Sequence, residues 1–377
     1  MTKGETSIGV VILSFLNPIV GAGEYARSIV KLLSKKFEIT VYTYEGTARE
    51  EFKSTKNIKF ITVEPPKRGI FYYLDSVKKL FELFIKIKKH DIILYAGGLE
   101  AYLTHFVKLK TPKLKSVSEF HHMRGGLSFF NQLKVNGLLL GLVEYVSVLL
   151  TKESDSIITS SETWKKLLKE GGYNKPVYVA YNSVEPCKRG DLKLKITHPI
   201  IYTGLCQPIH NIELSIKALP LIKREYPSAS LLITGRKDDV YFKKLLEIAR
   251  ELGVNNDVHY LGILSDEDVR SVYEQSDVVF FVTKDPYGWS RVLLKGILYK
   301  TPCIAMGVGA LTELIHRYGG ILIEDDPKEF SEAVIKLVKY KKDVKRVKER
   351  AYRSLQKDTW EVATEIHERC IRNLLNS

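Results

Sequence analysis

The stretch KDPYGWSRVLLKGILYKTPCIAMGVGALTEL, residues 284–314, decides how the rest of the chain is read. Asp285, Pro286, Tyr287 and Gly288 are turn formers, 292–299 is an apolar helical run, and Thr301-Pro302 stops it before a short buried strand at 303–306. A helix entered through such a turn presents the N–H groups of its first turn beyond the strand ends, a ready anion site. Arg291 and Lys295 stand four apart on one face near that start, where the helix dipole disfavours positive charge. Cations so placed need an anion or an acidic neighbour, so the pair is read either as facing a phosphate or as salt-bridged.

Outward from this unit, short β-branched runs alternate with helical segments in both directions. Runs at 8–14, 38–44, 58–64, 91–97, 115–121, 156–161 and 177–182 precede a polar stretch, and runs at 199–204, 230–235, 258–263, 278–284, 303–306 and 321–324 follow it. The pattern predicts an α/β chain of two Rossmann-like, doubly wound domains, each a parallel sheet covered on both faces with ligands at the strand C-terminal ends. The first domain is expected over 1–185 and the second over 198–358, with a linker at about 183–198 and the principal cleft between them.

Composition sets the outer bounds. A chain of 377 residues with 45% hydrophobic content can bury about two ordinary cores. Of its +14 net charge, +11 falls in residues 1–190, a bias that suits an anionic membrane surface, a phosphorylated acceptor or nucleic acid. Cys187, Cys206, Cys303 and Cys370 form no zinc-type spacing, which fits a reducing cytoplasm. No cleavable leader is visible, and the longest apolar segment, 135–150, is shorter than the roughly 20 residues that span a bilayer and is expected as a core helix.

Two loops of the first domain carry candidate chemistry. In NPIVGAGEY, 17–25, Gly21 and Gly23 allow close backbone approach of a phosphate or sugar at a helix start, although the spacing does not complete a dinucleotide fingerprint. His121 and His122 end the fifth strand before Arg124-Gly125-Gly126, and His121, nearer the strand end, is the candidate to meet substrate oxygens or move a proton.

Nearly the whole chain resembles a glycosyltransferase of the GT-B fold, specifically glycosyltransferase family 4. The resemblance is carried by Gly21-Ala22-Gly23-Glu24-Tyr25, Tyr181-Asn182-Ser183-Val184, GLCQPIHNIEL at 204–214, DVHYLGILS at 257–265 and GVGALTELI at 307–315. It implies transfer of a sugar from a nucleotide-diphosphate donor with retention of configuration, no covalently bound cofactor and no essential metal. It places the donor in the second domain and the acceptor, a glycan or a lipid-linked molecule, in the first, with a last helix over about 359–377 returning to the first domain. Gly204, His210, the backbone around Gly262 and Ile263, and the turn residues Asp285, Tyr287, Gly288, Trp289 and Ser290 are the implied donor contacts. Such chemistry rests on positioning and on neutralising the departing diphosphate.

The sequence departs from the family pattern at that place. Counted back from Thr301-Pro302, the family's paired glutamates align with Tyr287 and Lys295, and its Arg and Lys after the first strand of the donor domain align with Leu205 and His210. One reading is a relocated charge set in which Arg291 and Lys295, with His210 protonated beside an anion, face the phosphates. The other is a degenerate homologue acting as a binding or scaffold subunit.

Four further stretches complete the reading. Gly235-Arg236-Lys237 follows a strand and is a candidate to meet the nucleotide, yet its cations beside Asp238 and Asp239 read more readily as a surface cluster. Glu313 reads as a capping carboxylate in a helix that opens after Gly307-Val308-Gly309. Residues 71–89, with aromatics, an apolar stripe and a basic face, match either a helix lying on an anionic bilayer or a core-facing helix, so the protein is expected in the cytoplasm with peripheral contact to the inner face of the membrane. Residues 336–353 read as one exposed charged helix, and no stacking platform accompanies them, which argues against nucleic acid.

Overall fold

The computed structural model describes residues 6–13, 21–67, 72–96, 100–120, 149, 151–284, 288–339 and 341–377. The chain divides into two compact units, one of residues 1–182 with 360–377 and one of residues 183–359.

In the first unit, β1 (Ser7–Val11), β2 (Glu38–Tyr44), β3 (Ile58–Val63), β4 (Ile92–Ala96), β5 (Lys115–Phe120), β6 (Ser156–Thr159) and β7 (Val177–Val179) form one parallel sheet in the order β3-β2-β1-β4-β5-β6-β7. The helices α1 (Gly21–Leu33), α2 (Tyr72–Lys86), α3 (Glu100–Lys110) and α4 (Glu162–Glu170) provide the crossovers, and α12 (Trp360–Leu375) comes back to pack on α1, β6 and β7. Trp360 meets Tyr25 edge-on at 5.6 Å between ring centroids, which anchors the returning helix at its first turn. Deeper along it, the fully buried His367 gives its Nδ1–H to the Ala363 carbonyl, while its Nε2 lies 3.1 Å from Glu119 and 3.2 Å from the Tyr25 hydroxyl. At the other end of the sheet His90 joins the Ser7 and Tyr42 hydroxyls, each at 2.8 Å, and burial lowers its pKa.

In the second unit, β8 (His198–Thr203), β9 (Ala229–Thr234), β10 (Val258–Tyr260), β11 (Val278–Phe281), β12 (Cys303–Met306) and β13 (Ile321–Ile323) pair in parallel in the order β10-β9-β8-β11-β12-β13. Their helices are α5 (Glu213–Glu225), α6 (Asp239–Glu251), α7 (Asp266–Gln275), α8 (Arg291–Leu298), α9 (Ala310–Tyr318), α10 (Pro327–Lys339) and α11 (Lys341–Leu355). All six residues of β9 and all four of β11 and β12 are buried, which is why these strands read as unbroken apolar runs. The polar stretch after Asn182 lies along α7: Ser271 donates to the Gly190 carbonyl, and the Leu192 amide donates to Asp268.

The structure differs from the sequence reading in one helical stretch and at several strand ends. Residues 336–353 do not form one exposed helix but parts of α10 and α11, with Val338 and Ala351 buried and α11 packed against α8 and α9. The strands expected over 8–14, 156–161, 177–182, 258–263 and 278–284 stop at Val11, Thr159, Val179, Tyr260 and Phe281; past β10 Gly262 turns to φ +74, and β8 ends level with Phe281. The core helix expected at 135–150 falls almost wholly outside the described residues. Among the described residues no helix is long and apolar enough to cross a membrane.

Candidate functional site

The strand order of the second unit reverses between β8 and β11, and ligands of doubly wound sheets collect beyond the strand C-termini at such a point. Here the loop after β8 opens with Gly204 at φ +126, and a Cβ on it would stand 3.8 Å from Val292 in the first turn of α8. The end of β8 and the start of α8 are therefore neighbours. Tyr273 of α7 fixes them, its hydroxyl donating to the Val292 carbonyl at 3.0 Å and meeting Thr203 Oγ1 at 2.5 Å.

Next to Gly204 the strand ends form a glycine shelf. The Gly204 amide donates to the Thr234 carbonyl and the Gly235 amide to the Gly262 carbonyl, at 3.0 and 2.8 Å. Gly235 takes φ +116, and a Cβ on it would lie 2.1 Å from the Gly204 carbonyl oxygen, so backbone approach there excludes any side chain. At Gly262 the space for a Cβ is open, and the following Ile263 is 75% exposed.

The helix starts around this shelf are not alike. Asp238 caps α6 by accepting from the Tyr241 amide at 2.8 Å, and Ser265 caps α7 by accepting from the Asp268 amide at 3.1 Å. The Tyr241 hydroxyl satisfies the Ile212 amide ahead of α5. α8 and α9 have no side-chain cap: Ser290 and Gly309 occupy the positions. Ser290 is 1% exposed and its Oγ has no hydrogen-bond partner among the described residues. A buried hydroxyl left so is costly unless something else satisfies it.

The residues singled out by sequence are distributed as follows. Lys295 Nζ lies 2.7 Å from Asp266 Oδ1, and Lys295 first, with Arg291 also contributing, holds the Asp266 carboxyl below the usual carboxylate range. The acidic neighbour that the two cations require is thus on α7. His210 is 6% exposed and packs against the Tyr202 and Phe281 rings at 6.0 and 5.3 Å, because the turn at Pro208–His210 folds the imidazole under the loop. Gly288, Trp289 and Ser290 are buried, with Trp289 edge-on to Tyr318 at 6.0 Å. Gly21 and Gly23 fall in the first turn of α1. His121, Asp285 and Tyr287 lie outside the described residues. No group of three or more His, Cys, Asp or Glu side chains suited to a metal occurs among the described residues.

Two features escaped the sequence reading. Gly296 allows α8 to lie on the sheet, since a Cβ there would be 2.5 Å from Val279 Cγ1 and 3.0 Å from Cys303 Sγ. Asn211 follows the buried His210 at φ 41, a left-handed position that asparagine tolerates.

Two family models match the chain in tandem: "Glycosyltransferase Family 4" over residues 19–187 and "Glycosyl transferases group 1" over residues 195–354. An uncharacterized glycosyltransferase of Methanocaldococcus jannaschii is 26% identical over 323 residues, 78% of either chain. A capsular polysaccharide biosynthesis glycosyltransferase of Staphylococcus aureus is 21% identical over 337 residues, 86% of this chain and 89% of its own. Among solved structures, Anabaena HepE in complex with UDP and glucose superimposes with a TM-score of 0.78 over 99% of this chain and 100% of its own, at 16% identity.

Proposed function

Since this chain belongs to glycosyltransferase family 4 and has the GT-B fold of a glycosyltransferase, we propose that its second unit binds a nucleoside-diphosphate sugar and that the sugar passes, with retained configuration, to a glycan or lipid-linked acceptor. The observation that carries the donor assignment is the start of α8 at the strand-order reversal, where the buried Ser290 neither caps the helix nor finds a partner for its hydroxyl among the described residues. First-turn amides and a hydroxyl at a helix start suit a diphosphate, which gathers charge as the glycosidic bond breaks. The α9 start offers a second set of amides after Gly309. The exposed Ile263 beside the open Gly262 backbone suits the flat face of a base. The solved neighbours with UDP and sugar bound point to the same donor class. No covalent cofactor and no essential metal enters this scheme. His121 stays the candidate to meet substrate oxygens or move a proton.

The acceptor class draws on a different surface. Phe81 and Ile85 of α2 and Phe106 and Leu109 of α3 are exposed on two helices that pack together, and Lys86, Lys88, Lys89, Lys110 and Lys113 around them are exposed as well. An apolar patch with a cationic rim suits the interface of an anionic bilayer, where a lipid-linked acceptor would be met. Flotation with vesicles containing anionic lipid, weakening as salt rises, is expected. Equal flotation with neutral vesicles would remove the electrostatic part.

Calorimetric titration with UDP, GDP, ADP and TDP tests the donor assignment, followed by turnover of the matching nucleotide sugars. One nucleotide should bind clearly better than the rest and its sugar should be consumed. Binding without turnover over a broad acceptor panel would favour the scaffold reading, and no binding of any nucleoside diphosphate would refute the donor site.

A further inference from the structure

We infer that Arg236 supplies the phosphate-neutralising cation of this donor site, an assignment that rests on the donor reading above. Cys206 and Lys237 form a parallel bridge beyond the ends of β8 and β9, and the Cys206 amide donates to the Arg236 carbonyl at 2.9 Å. In that register Leu205 and Arg236 stand side by side, one step past Gly204 and Gly235. The β8 loop carries an apolar residue where a diphosphate would need a cation, and the adjoining β9 loop carries an arginine.

Three lysines of the rim are engaged. Lys295 pairs with Asp266, and Lys284 pairs with Asp325 at 3.6 Å. Lys237 pairs with Asp239 and lies over the Phe242 and Tyr260 rings at 5.0 and 5.5 Å. His210 is buried among rings. Both aspartates that follow Arg236 in sequence are also occupied, Asp238 as the α6 cap and Asp239 with Lys237. Arg236 is exposed, and its guanidinium has no ion-pair or hydrogen-bond partner among the described residues. An unengaged guanidinium offers five donors in a planar fork that matches phosphate oxygens two at a time.

Titration of the intact protein and of Arg236→Ala and Arg236→Lys with UDP and GDP, and with uridine and guanosine as probes lacking phosphate, tests the assignment. Arg236→Ala should weaken the preferred diphosphate about 10- to 100-fold, the loss of a charged hydrogen-bond donor, and leave its nucleoside within about twofold. Arg236→Lys should recover part of the loss through its point charge. The thermal midpoint should stay unchanged, since the side chain contacts nothing that holds the fold. Unaltered diphosphate affinity in Arg236→Ala, or equal losses for diphosphate and nucleoside, would overturn the role of Arg236 and leave the donor reading standing. An intact protein that binds none of UDP, GDP, ADP and TDP would overturn both.

Discussion

Among the six helices that follow strand ends in the second unit, two neighbouring pairs start in different ways. α6 and α7 are closed by Asp238 and Ser265, whereas α8 and α9 begin at Ser290 and Gly309, which make no capping hydrogen bond among the described residues. The closed pair flanks β9 and β10 at one side of the sheet, and the open pair flanks β11, β12 and β13, next to the reversal of strand order. A cap contributes about 1 kcal/mol to a helix, so leaving two neighbouring helices without one forgoes stability that the same chain secures elsewhere. The contrast separates helix starts built for the fold from helix starts left for a ligand.

The glycine shelf at the ends of β8, β9 and β10 is the most sensitive element. Gly235→Ala would force a Cβ against the Gly204 carbonyl and hold alanine at φ +116, and a loss of about 2 to 4 kcal/mol is expected from overpacking and backbone strain together. Urea denaturation reads it directly. A variant as stable as the parent would mean that the shelf rearranges freely, and the distinction between the two pairs of helices would lose its geometric basis.

Closing an open start should come next. Ser290→Asp places a carboxylate at a position already extended, with φ −76 and ψ 116, where it can accept from the α8 amides. Stability should rise by about 0.5 to 1 kcal/mol, while affinity for a nucleoside diphosphate falls about 10- to 100-fold through repulsion and loss of the amides. Undiminished binding would place the phosphates away from α8.

Opening a closed start gives the converse. Asp238→Ala should cost about 1 kcal/mol in denaturation and leave nucleotide affinity within about twofold. A large fall in affinity would show that α6 belongs to the ligand-facing pair after all.

How much of this could be read from sequence depends on whether the information is local. The strands were legible because burial on both faces makes each a continuous apolar run, and the helix at 292–299 was legible from its turn and its Thr-Pro stop; the observed α8 starts one residue earlier. Strand ends beyond β10 and β11 were overextended, since Leu261 and Val282 are as apolar as the residues that pair. The site was harder to read. Asp238 and Asp239 beside Arg236 suggested a neutralised cluster, yet their carboxylates are spent on a helix cap and on Lys237, and only the fold reveals that choice. The partner of Lys295 lies 29 residues away on another helix. His210 read as an imidazolium facing the phosphates because nothing in PIHNIEL shows that its turn folds inward against Phe281, which lies in a different strand.

The smallest expected effect probes the boundary between the two kinds of start. Lys295 of the open α8 is held by Asp266, in the acidic first turn of the closed α7. The folded-state pKa of Asp266 is depressed, so this pair's contribution is present above the ordinary carboxyl value of 3.8 and is lost as pH falls through the folded value. The carboxylate is largely exposed, which limits the contribution to about 0.5 kcal/mol or less. Lys295→Gln should therefore shift denaturation barely at all at pH 7, flatten the acid limb slightly, and leave nucleotide affinity within about twofold. A tenfold loss of affinity would mean that the ammonium leaves α7 when the donor arrives; Lys295 would then join Arg236 at the phosphates, and the acids of α7 would hold it only in the empty protein.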